Sequence, residues 1–392
     1  LGDVYKRQVW CGVERCLFGN GKELHFKKLM DFDTIGGKSN KNGARFDLDA
    51  MYVNWLGLSL KCYLPKSENS LSYVWESLKG KISYCNIKRL MFSSGWRYYA
   101  EIVVSGAAPT RVSIGTSTMG IDPGVSTIAG VSEDACVLEE LAPNAIQYEK
   151  KIQKISQSMD RSRRISNPNK YNEDGTINRS NRDPWKYSKN YVKMCRLLKS
   201  LYRKKHAYIV DSHRELCNKL ITIARYFPVE KMHFQALQKK AKETRRQEKK
   251  TEVKQKDGTV KVIQKYKRKK RFGRSINRRA PARFLLELER KVEAVGGVYA
   301  EVDTKEFKAS QYNHVTDTYE KIPLSQREKE IGKRKVQRDL YSAFLIRNAD
   351  LDFKHPDREK CEYEFEHFAK MQDQLILKMK ESGLSMRQCF GF

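Results

Sequence analysis

No stretch of this 392-residue chain approaches the roughly 20 apolar residues that a bilayer-spanning helix needs, which argues against an integral membrane protein. Paired cysteines are missing too. The nine cysteines (11, 16, 62, 85, 136, 195, 217, 361, 389) are scattered, form no CxxC pair, and would leave one thiol over if the rest bridged. That usage reads as a reducing cytosol, so a cytoplasmic protein of prokaryotic type, nucleoid-associated through DNA binding, is expected. No secretory signal and no internal repeat is visible. The opening octet, Leu1 to Gln8, reads as an assembly scar, with a native N-terminal piece expected to be missing. Acidic residues are scarce: 47 Asp and Glu stand against 77 Lys and Arg, a formal net charge of +30. Such an excess suits a polyanionic partner. Nucleic acid leads over an anionic membrane surface, because the Lys/Arg runs carry no strong apolar face.

At this length the chain can bury its own cores in two or three domains. Residues 9–118 are rich in aromatic and β-branched runs, such as Met51 to Leu60 and Trp96 to Val104, broken by Gly, Pro, Ser and Asn clusters, and they read as a β-rich accessory domain. At Met119 the pattern changes to MGIDPGVSTIAGVS, an apolar strand, a Gly/Pro turn and a second apolar strand, with a third short strand at Ala135 to Leu138. Polar residues from Met159 to Asn190 predict a long loop. Apolar spacing then predicts an amphipathic helix with a basic outer face over Tyr191 to Arg225 and a short buried strand over Phe227 to Phe234. Residues 239–279 carry 19 Lys and Arg against 4 acids, half of the net charge, and read as a long basic helical insert. Pro281 opens a further helix, GGVYAEVD gives a strand, and Lys333 to Asn348 reads as the last helix of a domain spanning 119–348. A charged tail, helical from Lys360 to Lys380, fills 349–392.

Three acids occur where an acid is expensive. Asp122 sits within an apolar hairpin, Glu230 on a short apolar strand, and Asp339 at the edge of the packed face of its helix. Burying an ionised carboxylate costs several kcal/mol unless a cation or a hydrogen-bonded partner offsets it. Any one of them alone is more simply a partner for one of the many Lys or Arg side chains. If the first strand, the strand bearing Glu230 and the last helix pack together, the three would form the oxygen-only ligand set preferred by Mg²⁺ or Mn²⁺, and two such ions roughly 4 Å apart would support in-line attack on a phosphodiester by a two-metal-ion mechanism.

GIDPG (Gly120 to Gly124), VEKMHFQAL (Val229 to Leu237) followed by QKKAK, and KVQRDLYSAFLI (Lys335 to Ile346) resemble, in order, the three RuvC motifs of the transposon-encoded OrfB/TnpB family, relatives of the compact type V CRISPR effectors. The likeness spans roughly Ile87 to Asn348 and includes IKRLMFSSGWRYYAEIVV, similar to that family's wedge-like β-domain. It implies an α/β RNase H-like (RuvC) core with a β-rich wedge-like N-terminal domain, and Asp122, Glu230 and Asp339 as catalytic and metal-binding acids. It further implies RNA-guided DNA cleavage, with a guide RNA and a double-stranded DNA target as partners. Lys265 to Arg271 and Arg274 to Arg279, among them Lys267, Arg268, Lys269, Lys270, Arg271, Arg274, Arg278 and Arg279, are the candidates for phosphate contacts, with Tyr266 and Phe272 as candidate stacking rings.

Many relatives carry two cysteine pairs ahead of the final Asp. This chain has no cysteine between Cys217 and Cys361 and reads SQYNH (Ser310 to His314) there, so no zinc site is expected, and His314 reads as an ordinary packing residue. His233 and Gln235 read as strand-exit positions. Two other classes stay open from sequence: a guide-dependent DNA-binding protein that does not cut, and a strand-joining transposase, though no Tyr or Ser nucleophile motif favours the latter.

Overall fold

In a computed structural model the described residues are 2–19, 21, 23–24, 32–173, 175–238, 246–254, 260–266, 272–323 and 325–383, of which residues 2–8, 246–254, 261 and 263–266 are described by secondary structure alone. The chain divides into two compact units, residues 1–111 with 148–205, and residues 112–147 with 206–392. The first unit thus takes its leading segment as far as Arg111 and a second segment, residues 148–205, from the middle of the sequence.

In the first unit, α1 (Gly2–Leu17) runs through the octet read as a scar. Strand β1 (Thr34–Gly36) pairs with the long hairpin that follows later in the chain, while β2 (Arg45–Asp47), β3 (Tyr52–Trp55) and β4 (Leu58–Lys61) form an antiparallel meander. Helix α2 (Glu68–Leu78) leads into β5 (Lys81–Phe92) and β6 (Gly95–Ser105), antiparallel partners closed by a two-residue turn. Their small core holds Ala44, Phe46, Val53, Leu78 and Cys85. Helix α3 (Ala145–Ser166) extends into the segment predicted as loop, whose irregular part begins only after Ser166, and α4 (Lys189–Ile223) belongs to this unit as far as Lys205.

The second unit is built on one mixed sheet. Short β7 (Ser117–Thr118) precedes β8 (Gly120–Pro123), β9 (Thr127–Val131), β10 (Cys136–Glu140) and β11 (Ala224–Glu230). The insert then differs from expectation. After α5 (Phe234–Gln238) it forms two antiparallel strands, β12 (Arg246–Lys254) and β13 (Val260–Tyr266), instead of a long helix. The local sequence explains this: Thr251, Val253, Val260, Val262 and Ile263 favour extended backbone, and Asp257-Gly258 between them is a hairpin signal that the charge count obscured. Helices α6 (Gly273–Arg279) and α7 (Pro281–Ala294) lead to β14 (Val298–Val302), and α8 (Thr304–Phe307) and the small hairpin β15 (Tyr312–Asn313) and β16 (Thr318–Tyr319) follow. Next come β17 (Glu328–Ile331), β18 (Arg334–Gln337), α9 (Arg338–Arg347) and α10 (Arg358–Glu381). The predicted last helix is therefore shorter by its first turn, which pairs with β17 as a strand. The segment read as a tail supplies α10, whose Cys361, Phe365 and Phe368 enter the core.

Sheet order is β10-β9-β8-β11-β14, antiparallel across β10, β9 and β8, and parallel from β8 through β11 to β14. Side chains alternate between its two faces. Met119, Ile121, Ile128, Phe227 and Val229 pack against α4 and α7, through Leu216, Leu220, Phe284, Leu288 and Val292. The opposite face, through Ala129, Val131 and Leu138, meets α9 and α10. Gly120 lies on that second face, where a Cβ would run into the Ala343 carbonyl and the Arg347 amide of α9. The first glycine of GIDPG thus serves helix-on-sheet contact more than turn formation.

Candidate functional site

Asp122 follows Ile121 in β8, and Glu230 follows Val229 in β11. Because Ile121 and Val229 are register partners buried on the α4/α7 face, alternation sends both acids to the opposite face. Both stand at the carboxyl ends of neighbouring parallel strands. Asp339 occupies the first turn of α9, which crosses the same face directly over Gly120. Three acids separated by 108 and 109 residues in sequence are thereby brought into mutual electrostatic range.

Glu230 and Asp339 are buried. Asp122 keeps some accessible surface, yet protein atoms crowd it, and desolvation is the largest cause holding its carboxyl well above the usual carboxylate range. The charges of Glu230 and Asp339 push the same way, against Arg338. Burial also raises Glu230, offset in part by hydrogen bonds from Asp122 and Thr304. The Thr304 hydroxyl has one proton to give and two acceptors within reach, Glu230 and the Lys231 carbonyl at 2.5 Å.

Asp339 is managed differently. Arg338 donates to its Oδ1 from Nη2 at 2.7 Å and Nε at 3.0 Å, and Arg327 donates to Oδ2 from Nη1 at 3.0 Å. Gln337 caps α9 by accepting the Leu340 amide at 2.7 Å, and its own amide donates to Gln372 Oε1 of α10 at 2.8 Å. Among the described residues no three His, Cys, Asp or Glu side chains stand together as a ready metal cage. The donor set nonetheless fits a hard divalent cation: it is all oxygen, and two of its members carry a desolvation and repulsion burden that a cation would relieve.

The candidate nucleic-acid residues fare unevenly. Lys267, Arg268, Lys269, Lys270 and Arg271 lie outside the described residues, and Lys265 and Tyr266 are described only as part of β13. Arg274 is exposed on α6, and Arg278 and Phe272 are half-buried. Arg279 is a correction. It is buried, donates to Glu140 Oε1 and, at 3.2 Å, to Ser275 Oγ, and its carbonyl accepts from His213 Nε2 at 2.8 Å. It therefore ties α6 to β10 and α4 instead of facing a phosphate. His314 packs among Tyr341, Phe344 and Phe365, with Nδ1 2.7 Å from the Tyr341 hydroxyl. His233 and Gln235 are exposed beyond the end of β11, which stops at Glu230.

Sequence reasoning missed Arg327, Arg338 and Thr304. Arg338 had a signal, since a residue preceding a helix-opening acid can fold back on it, but Arg327 reaches Asp339 only through the β17–β18 hairpin.

No protein-family model matches the chain, and no curated protein matches it. Among solved structures it is similar to the cryo-EM structure of a Cas12f1–sgRNA–target DNA complex, with a TM-score of 0.41 and 13% identity over 72% of this chain and 48% of that one. A second, the cryo-EM structure of a CRISPR–Cas12f ternary complex, gives a TM-score of 0.32 and 14% identity over 72% of this chain and 49% of that one. The chain spans about half the length of these proteins.

Proposed function

We propose that the protein is a metal-dependent endonuclease with an RNase H-like core, which cuts DNA under the direction of a guide RNA and originates from a transposable element. The observation that carries this reading is the delivery of Asp122, Glu230 and Asp339 to one sheet face from β8, β11 and α9. A set of salt-bridge acids has no need of such convergence, because mutual repulsion in a desolvated site is a cost.

In this reading Asp122, Glu230 and Asp339 hold Mg²⁺ or Mn²⁺, with no zinc involved. The bound ion supplies Lewis acidity to a phosphodiester and a nucleophilic water. The protein's own residues do the rest. Burial and the charges of Glu230 and Asp339 hold the Asp122 carboxyl above the usual range, a burden that a divalent cation held there would relieve. Arg327 and Arg338 hold Asp339 in place through hydrogen bonds to its two carboxylate oxygens. The net charge of +30 draws the polyanionic substrate to the protein.

The test is cleavage of a matched double-stranded target by protein purified with its RNA, in the presence of Mg²⁺ or Mn²⁺. Asp122→Asn, a near-isosteric change that removes the charge, is expected to lower cutting by at least about a thousandfold while the protein still melts cooperatively, the scale on which losing one member of a catalytic constellation acts. Equal cutting by both proteins would overturn the assignment. Tight binding with no cutting across both metals would replace it with a guide-dependent DNA-binding protein.

A further inference from the structure

Residues 179–205 hold ten Lys and Arg and one acid, Asp183, and all of them are among the described residues. Part of this charge is spent locally: Lys199 pairs with Asp33, Arg203 donates to the Met91 carbonyl, and Lys205 pairs with Glu149. Lys186, Lys189, Lys193 and Arg196 are different. All four are exposed, and none has an ion-pair partner among the described residues. Lys189, Lys193 and Arg196 recur at i, i+4 and i+7, so they line one side of α4.

Beside the stripe stands a ring pair. Tyr187 stacks on Tyr191 with centroids 4.6 Å apart and planes 20° apart, yet Tyr187 remains 50% exposed. A solvated charge run needs no such ring, and the backbone under it is pinned. Ser188 Oγ accepts the Tyr191 amide at 3.1 Å and lies 3.0 Å from Ser162 Oγ of α3. The buried Asn167 accepts the Lys186 amide at 2.7 Å and donates to the Lys186 carbonyl at 2.8 Å. Behind it, Trp185 takes the Arg163 guanidinium at 5.4 Å and the Lys170 ammonium at 5.2 Å. Fixed backbone, a half-open ring and free cations following one helix side match the requirements of a strand with splayed bases and a regular phosphate spacing. An anionic membrane would use the cations but has no base to lay on Tyr187.

We propose that Tyr187 and the stripe of Lys186, Lys189, Lys193 and Arg196 form a binding surface for a single-stranded polynucleotide, the ring stacking on a base and the cations tracking the phosphates. This deepens the nucleic-acid reading above and rests on it for the class of partner.

The test is fluorescence anisotropy of the full chain with labelled short oligouridine, oligothymidine and an abasic oligomer of equal length, in EDTA, across a salt series. Tyr187→Ala is expected to weaken binding to the base-bearing oligomers by at least about fivefold, while Tyr187→Phe binds as wild type and the abasic strand does not sense the change. The combined Lys186→Ala, Lys189→Ala and Lys193→Ala protein is expected to lose about tenfold or more on all three strands, with the salt slope reduced by about 2. An effect of Tyr187→Ala on RNA alone, or on DNA alone, supports the surface and names the strand it takes. Equal binding of Tyr187→Ala and wild type to both base-bearing oligomers would overturn the proposal, as would an unchanged salt slope in the triple variant. No cleavage is asked of the protein in EDTA, so an uncut target in the earlier experiment leaves this surface standing, and a silent Tyr187 leaves the nuclease reading standing.

Discussion

In the unit that carries the acids, aromatic rings pack on one another: Phe344 stacks on Phe368 at 4.6 Å, and His314 lies 4.7 Å from Phe365. In the unit of residues 1–111 and 148–205, where Tyr187 also stacks on Tyr191, further rings lie beneath cations. Trp96 takes Arg89 and Lys199, each at 4.4 Å, and Phe92 takes Arg203 at 3.8 Å and Arg97 at 4.6 Å. The same residue types therefore serve two ends. Hidden from water, a ring contributes its large apolar area and holds the acid-bearing helix against the sheet. Left near the surface with a cation on its face, it contributes little to stability, about 0.5–1 kcal/mol at exposed sites.

Substitutions in the two units put that contrast at risk. The largest effect is expected from Gly120→Val, whose side chain has no room beneath the α9 backbone: a thermal melt should lose its cooperative transition, and a normal melt would mean that α9 does not cross β8 closely. Phe344→Ala should cost about 3–5 kcal/mol in urea unfolding, as a fully buried ring lost from a stacked cluster. Acid should act next. Burial lowers His213 from 6.5 to about 4, so the unfolded chain binds the proton first. Stability is then intact above pH 6.5 and falls as pH drops toward about 4. His314, lowered to about 4 by its own burial, adds in the same direction. Asp122 and Glu230, raised by burial, act in the opposite direction, so urea midpoints at pH 7 and 5 are compared with those of a His213→Gln, His314→Gln protein, and an equal pH dependence of the two proteins contradicts burial of both rings. The smallest effect belongs to Tyr98→Ala. At 68% exposure it should shift stability by no more than about 0.5 kcal/mol, and a core-sized loss there would erase the distinction between the units.

Much of the acid site was legible because burial makes charge conspicuous. Asp122 and Glu230 each interrupt an apolar strand, and strand alternation alone puts them on the face away from Ile121 and Val229. Asp339 was legible as a helix-edge acid. What periodicity does not carry is pairing across long separations. Arg279 looks like one more cation in a basic run until Glu140, 139 residues earlier, is found against it. Arg327 reaches Asp339 by a hairpin whose second strand reads, from its spacing, as helix. The insert misled for the opposite reason: its charge was read before its β-branched alternation. The basic side of α4 was visible in sequence, but the stacked Tyr187 and Tyr191 and the Asn167 hydrogen bonds that fix them were not.

The bond from the Gln337 amide to Gln372 bears on how the chain can be cut. It joins the residue that caps α9 to the middle of α10, so the seating of Asp339 depends on a segment that contributes none of the three acids. A protein shortened to end before Arg358 would keep every motif residue and still lose the strut that sets the pitch of α9.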